Sequence, residues 1–445
     1  MVRKTASVNY AWVIVVACLA FYALPVGVVG NTAGIYATPV MEQFGWSRTE
    51  ATLYMAIQQL VAAAVTPLAG MVLARFNPRW VLTGTSILIG LSTAACVCFD
   101  APWQWNLYGV VYGFCSGFIL FLAVPTIINR WFVQRSGFAI GIASAGIGVF
   151  GALASPLTQM LIGAYGWQTA RLVTSLGCMV VSAGLTALLL RPSPESMGVL
   201  PYGADEDYGR PVPLEGSTDS ATPMVRRGAT VAQALRSSGL YLLMVVAGCF
   251  SMGAFFMQQV PSACAVGPLG AEVGAFAVSA IMVGTIAGKP LLGWLADRIG
   301  AVPTGMIAGV GGALGVAIAL VSGDSAPLFF LGVGIYGLGY SSLSIVSPML
   351  GSQGFGTAHF SEIYSYVCMA ISIASALGSF IFALLYDLTG SFTVDYLLVI
   401  AIYGASALLC PLTVRFARRC WEDEAATVQN PQAHAEGEEP MAGLS

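Results

Sequence analysis

Lys289 stands in an apolar stretch, Gly284 to Gly293, with its nearest following acid, Asp297, eight residues on. That spacing is about 12 Å along a helix rising about 1.5 Å per residue. If the stretch crosses a membrane, an ammonium at that depth costs about 2.5–3.5 kcal/mol. An acidic partner, a water-filled cavity or an anionic ligand would offset the cost. Snorkelling of the four-carbon stem towards one surface is the alternative, and it recovers only part of the depth.

Other polar groups interrupt apolar runs. Gln258 and Gln259 close the segment Phe255-Phe256-Met257 ahead of Pro261. Amides in hydrocarbon need partners, either polar groups of a ligand or a neighbouring helix. Asn31 raises the same choice. Tyr22, Tyr112, Tyr336 and Tyr340 suit either a cavity wall or helix packing. His359 and Glu362 open an apolar run and read as a solvated pair at a gate, with proton uptake by Glu362 the alternative. Arg171 and Asp395 begin two other runs and read as solvated helix ends, with a gate role the alternative.

Hydrolytic and phosphoryl-transfer chemistry finds no constellation. There is no Gly-x-x-x-x-Gly-Lys-Ser/Thr, no His-Glu-x-x-His and no Gly-x-Ser-x-Gly, and the chain has 2 histidines. Its 10 cysteines form no Cys-x-x-Cys pair, so neither a metal site nor a disulfide framework is suggested. No enzyme activity and no cofactor are expected.

The elements that must position these residues follow from composition. Of 445 residues, 57% are hydrophobic and 9% are charged. A soluble domain carries roughly 25% charged residues, so a water-soluble protein is excluded. Long unbroken runs such as Trp12 to Gly30 point to helices of about 20 residues rather than the short alternating strands of a barrel. Twelve helices are expected, over 10–40, 49–73, 80–99, 104–128, 136–163, 168–190, 238–264, 272–296, 303–322, 327–350, 361–385 and 393–414. Pro25 and Gly27 should kink the first. The fold class is an all-α membrane protein of twelve transmembrane helices.

Charge orients the chain, because cytoplasmic loops hold the excess of Lys and Arg. With the N-terminus inside, 15 of the 18 cations fall on the cytoplasmic side, so both termini are expected there. Trp12, Trp46, Trp80, Trp103, Trp105, Trp131 and Trp167 lie near helix ends, as an interfacial belt would. The proline-rich, polar segment 191–237, with Asp205-Glu206-Asp207 and Arg226-Arg227, divides six helices (1–190) from six (238–420). The acidic tail 421–445 reads as disordered.

The two halves repeat. Gly70-Met71-Val72-Leu73-Ala74-Arg75 matches Gly293-Trp294-Leu295-Ala296-Asp297-Arg298 at a shift of 223. Tyr112-Gly113 matches Tyr336-Gly337, and Gly166 matches Gly390, at a shift of 224. Two pseudo-symmetric six-helix bundles rocking about a central site is the architecture such duplication suggests. Gly137, Gly141 and Ala145 form a small-residue stripe for close helix contact.

On these residues the chain resembles the major facilitator superfamily over almost its whole length. Gly293 to Gly300 looks like that superfamily's signature loop, whose Asp and Arg, here Asp297 and Arg298, lock the two bundles together on the cytoplasmic side. The first copy departs, with Ala74 for the Asp and Asn77 for the second glycine, so that Arg75 alone keeps its role. Gly70, Gly293, Arg130 and Glu362 join Arg75, Asp297 and Arg298 as expected gating residues. Asn129-Arg130-Trp131-Phe132 leading into Gly137-Phe138-Ala139-Ile140-Gly141, Phe44-Gly45-Trp46-Ser47-Arg48, and Arg191-Pro192-Ser193-Pro194-Glu195 are similar to monocarboxylate carriers and oxalate–formate antiporters.

That resemblance makes Lys289-Pro290 the counterpart of a basic residue and proline taken to bind the substrate carboxylate. Lys replaces Arg, a point charge in place of a bidentate fork. Thr285 stands where proton-linked carriers have an Asp, and Ile371 lies near the second cation of the antiporters. One cation rather than two favours a singly charged anion. The expected function is secondary transport of a small organic anion, a monocarboxylate, by alternating access, with a proton or counter-anion as possible coupled species. Efflux of a hydrophobic or neutral compound is the alternative. The expected substrate contacts are Lys289, Gln258, Gln259, Asn31, Tyr22, Tyr112, Tyr336 and Tyr340. A monomer in a bacterial plasma membrane is expected, with lipid around it and no nucleic-acid partner.

Overall fold

The computed structural model describes residues 10–46, 48–204, 228–260, 263–264 and 267–429. Its apolar runs are helices, because hydrocarbon leaves each backbone N–H and C=O to be satisfied within the segment. Among the described residues 11 helices are long and apolar enough to cross a membrane. The longest, Ser136–Leu189, breaks at Gly166, where φ is 81° and ψ is 162°. It therefore makes two crossings, and the chain makes twelve. In order they are α1 (Tyr10–Tyr36), α2 (Arg48–Arg75), α3 (Pro78–Cys98), α4 (Pro102–Trp131), α5 (136–165) and α6 (167–189) in the first half. The second half holds α7 (Ser238–Phe255), α8 (Gly270–Ile299), α9 (Ala301–Val321), α10 (Ala326–Phe355), α11 (Phe360–Thr389) and α12 (Thr393–Gln429). The all-α, twelve-helix architecture expected from composition is the one observed.

Helix irregularities fall where the sequence weakens the backbone ladder. Ala23–Gly30, around Pro25 and Gly27, is a π-helical turn within α1, since proline removes a donor. The α-helix of α7 is interrupted after Phe255 by the 3-10 turn Phe256–Gln258, and Val260, Ala263 and Cys264 are again helical, up to the expected end at 264. At the other end α12 runs on to Gln429, past the expected boundary at 420, and 430–445 lie outside the described residues.

The connector between halves also holds more structure than its polarity suggested. Val231–Arg236 is a short helix, its N-terminus capped by the Thr230 hydroxyl, which accepts from the Gln233 N–H at 3.3 Å. Isolated bridges pin Tyr202 to Phe132 and Gly228 to Gly356. The segment therefore leaves on the first half and lands on the second. Its acidic triplet and basic pair lie outside the described residues.

Leu91, Val180, Val310 and Leu408 turn outward from α3, α6, α9 and α12, Leu408 with 74% of its surface exposed. Such a belt suits lipid tails and would be an aggregation liability in water. Arg75, Arg130, Arg135 and Arg298 gather at one end of the bundle, hereafter the basic face.

On that face the halves meet along two seams, α5 with α8 and α2 with α11. At the first, a Cβ on Gly137 would lie 2.6 Å from the Gly293 carbonyl, and one on Gly141 would lie 2.9 Å from Pro290 Cα. At the second, a Cβ on Gly70 would lie 2.6 Å from the Ser361 carbonyl. Backbones approach this closely only where side chains are absent. Asp297 then bridges the first seam. Its carboxylate accepts the Gly137 and Phe138 N–H groups, each at 2.8 Å, satisfying donors that the first turn of α5 leaves open. Arg298 does not cross; its guanidinium lies 4.4 Å from the Trp294 ring centroid on its own helix. Arg130 donates to the Leu73 carbonyl at 3.0 Å, tying α4 to α2 inside the first half.

Asp297→Ala removes two charge-assisted bonds worth about 1.5–3 kcal/mol each. Amide exchange over 136–142, followed by mass spectrometry, should accelerate at least about tenfold. Unchanged exchange would show that the glycine contacts alone hold the seam.

Candidate functional site

A cavity of about 290 Å³ lies between the halves. Tyr22 and Asn31 from α1, Gln59 from α2 and Phe121 from α4 face Lys289 from α8, Tyr340 and Ser344 from α10, and Ser372 and Ser375 from α11. A second cavity of about 710 Å³ shares Val26, Asn31, Gln59, Phe255 and Ser375 with the first and continues past Met55 to Thr52. Because α2 runs towards the basic face, Thr52 lies at its far end. The pair of cavities therefore leads away from the Asp297 seam.

Lys289 is placed by α8 at the point where Gly141 lets α5 come against the Lys289–Pro290 backbone. The side chain is 7% exposed, and Nζ donates to the Ser144 carbonyl of the other half at 3.0 Å. No carboxylate pairs with it among the described residues. One neutral acceptor leaves two of the three ammonium donors for other partners. One turn earlier, the Thr285 hydroxyl donates to the Ile281 carbonyl at 2.9 Å and approaches the Gly337 carbonyl at 3.3 Å. It is committed to the backbone and holds no proton-exchanging group beside Lys289.

Neutral donors complete the wall. Ser251 donates to the Ile371 carbonyl at 2.9 Å, and the Ser375 hydroxyl reaches Ser251. Phe121, Phe255 and Leu343 supply apolar surface. One cation, a few amides and hydroxyls, and apolar walls suit a small molecule with one anionic group.

Four of the eight expected contacts, Lys289, Asn31, Tyr22 and Tyr340, line this cavity together. Tyr112 lines the adjoining one, with its hydroxyl donating to the Pro25 carbonyl at 3.0 Å. Tyr336 lies elsewhere: it is 1% exposed, and its hydroxyl sits 2.8 Å from the Gly253 carbonyl and 3.1 Å from that of Ala254. Gln259 lines neither cavity, and the Gln258 side chain lies outside the described residues. Gln59 and the serine group were not anticipated. An amide within the apolar run of α2 was the available signal for Gln59; the serines offered none, being common in membrane helices.

The residues expected to gate separate by seam. Gly293 and Asp297 belong to α5–α8, and Gly70 to α2–α11. Arg75, Arg130 and Glu362 surround a cavity of about 250 Å³ beside the second seam. Glu362 meets His359 Nδ1 at 3.1 Å, and His359 is half exposed.

Two readings are corrected. Arg171 and Asp395, expected as solvated helix ends, are 1% and 0% exposed. The Arg171 guanidinium lies 4.8 Å from the Tyr36 ring centroid and 5.4 Å from those of Trp105 and Tyr108, contacts of about 2 kcal/mol when desolvated. Neither Asp395 oxygen has a hydrogen-bond partner among the described residues. The π-faces that hold a buried arginine come from α1 and α4, far from it in sequence.

Comparison with known proteins agrees with this architecture. The proton:xylose symporter bound to 6-bromo-6-deoxy-D-glucose superposes with a TM-score of 0.67 over 93% of this chain and 98% of that one, at 13% identity. A Major Facilitator Superfamily transporter, FucP, in the outward conformation superposes at 0.66 over 91% and 99%, at 11% identity. Human monocarboxylate transporter 11 is 26% identical over 88% of this chain and 80% of its own length. Rat monocarboxylate transporter 13 is 26% identical over 89% and 87%. The family model described as Major Facilitator Superfamily matches residues 13–269. That match covers more than half of the sequence, and together with the twelve-helix, two-bundle fold it assigns the chain to the Major Facilitator Superfamily, a family of transporters.

Proposed function

We propose that this transporter carries a small organic monoanion, a monocarboxylate, by alternating access, with Lys289 as the carboxylate contact. The observation that carries the reading is the buried Lys289 ammonium in the inter-half cavity, held among the described residues by a single neutral carbonyl. The monocarboxylate transporters among its relatives support the substrate class. A carboxylate entering the cavity would compete with the Ser144 carbonyl for Nζ. A monoanion cancels the lysine's charge and leaves a neutral complex in a low-dielectric site, whereas a dianion leaves one charge uncompensated.

The cross-half bond suggests how binding is coupled to movement. Ser144 and Lys289 belong to different halves, so a substrate that takes Nζ from Ser144 loosens one link across the α5–α8 seam. The basic face is the cytoplasmic one by the distribution of Lys and Arg. With Asp297 closing that side, the arrangement corresponds to an outward-facing state. A co-transported proton or counter-anion completes the cycle, and Thr285 does not supply the proton site.

Uptake of labelled formate, acetate, lactate, pyruvate and oxalate into proteoliposomes, with and without a pH gradient, tests the reading. Lys289→Ala should lower monocarboxylate uptake at least about 30-fold, the equivalent of a lost charge pair of about 2 kcal/mol or more. Lys289→Arg should retain part of it. Wild-type rates in the alanine variant, or saturable export of a neutral compound indifferent to Lys289, would overturn the proposal in favour of hydrophobic efflux.

Thr285→Asp places a carboxylate one turn from Lys289. Ionised, it pairs with the ammonium and removes it from the substrate; protonated, it releases it. Uptake by this variant should be lost at neutral pH and recover as pH falls. Uptake that falls further on acidification would contradict this role for Lys289.

A further inference from the structure

The two seams on the basic face are built alike, but among the described residues only the first contains a bridging acid. At the first, Asp297 accepts the N–H groups of Gly137 and Phe138. At the second, the repeat shift of 223 puts Ala74 in the place of Asp297, and the shift of 224 puts Ser361 and Glu362 in the places of Gly137 and Phe138. The starts of the two capped helices correspond as well, Ser136 for α5 and Phe360 for α11. Gly70 against Ser361 repeats the backbone contact of Gly293 against Gly137. Among the described residues the glycine contact and the helix start recur, and the bridging carboxylate does not.

In its place is a cavity of about 250 Å³, lined by Ala74, Arg75, Thr126, Asn129 and Arg130 and by the start of α11. The N–H groups of Ser361 and Glu362 meet no acceptor among the described residues. Thr126 is 4% exposed, and neither its hydroxyl nor Asn129 Nδ2 has a hydrogen-bond partner among the described residues. The lining thus presents the exposed Arg75 guanidinium, an amide donor, a hydroxyl and a helix N-terminus, all of which favour an anion, with the Arg130 charge beside them although its guanidinium already donates to the Leu73 carbonyl. One carboxylate opposes it, that of Glu362, which His359 Nδ1 meets at 3.1 Å within the same helical turn. Arg75 is exposed, so the cavity communicates with the basic face.

We propose that this cavity is a binding site for a phosphate-type oxyanion, which stands in for the missing acid, bridges α2 to α11 and stabilises closure of the basic face. Free inorganic phosphate and the phosphate of an anionic lipid headgroup share the required chemistry. The site is separate from the Lys289 cavity, so it does not depend on the identity of the transported molecule.

The test uses the full-length protein in phosphatidylcholine nanodiscs, with unfolding followed by tryptophan fluorescence while phosphate replaces chloride at constant ionic strength. Wild type should show a saturable rise in Tm. Ala74→Asp supplies its own carboxylate, so its Tm should already be raised and should not respond to phosphate. Thr126→Val and Arg75→Gln should weaken the apparent phosphate affinity about tenfold or more, and they keep the test decisive if Ala74→Asp does not fold. A second arm uses phosphatidylglycerol nanodiscs. If the headgroup fills the cavity, wild type gains Tm over phosphatidylcholine and no longer responds to phosphate, while Ala74→Asp gains nothing. Indifference of wild type to both phosphate and phosphatidylglycerol, or an equal response in all the variants, would overturn the proposal.

Discussion

The backbone-to-backbone crossing of α5 and α8 is the constraint on which the rest of the structure depends. Gly137 faces Gly293, Gly141 faces Lys289 and Pro290, and Gly148 faces Ile286. Lipid tails are as apolar as leucine, so no hydrophobic force holds helices together in a bilayer; close packing does. The same crossing carries both the Asp297 bridge and the candidate site. Asp297 caps α5 at one end of the ladder, and Lys289 reaches the Ser144 carbonyl two turns along. A tilt that releases Asp297 therefore also moves Lys289 relative to Ser144.

Pseudo-symmetry gives each half the same scaffold, and the departures from it show where equivalent positions make different contacts. Tyr112 and Tyr336 are equivalent, and both give their hydroxyls to carbonyls of α1 or α7 near irregular turns, at Pro25 and at Gly253 and Ala254. Where an α-helix passes into a π or 3-10 turn, carbonyls lose their usual donors and need others. Arg171 and Asp395 are also equivalent, yet one is cradled by three aromatic rings and the other has no hydrogen-bond partner among the described residues. Burying an unpartnered carboxyl is costly, and no described residue offsets it. At the seams, Ala74 and Asp297 divide the halves again.

Part of the candidate site was legible without coordinates because one residue lining it violates the composition around it. A lysine in an apolar run needs a reason wherever the helix packs, so Lys289 could be picked out by sequence alone. Tyrosines violate nothing there, which is why Tyr22 and Tyr340 could not be told from Tyr336. The resemblance pointed to both Asp297 and Arg298 as the lock; Asp297 reaches the N-terminus of α5, whereas Arg298 lies against Trp294.

By itself the sequence determined the membrane setting, the all-helical class, the number of crossings, the division into two halves and the residue that most needs a counter-charge. These depend on quantities that accumulate along the chain: apolar length, charge at the loops and the spacing of repeated motifs. Only the tertiary structure decided which polar groups share a cavity, which are bonded to a neighbouring backbone, and that Arg171 and Asp395 are buried. Those outcomes depend on helices that are distant in sequence and meet at a particular rotation. Lys289 and Ser144 are 145 residues apart, and no local pattern records that their helices touch.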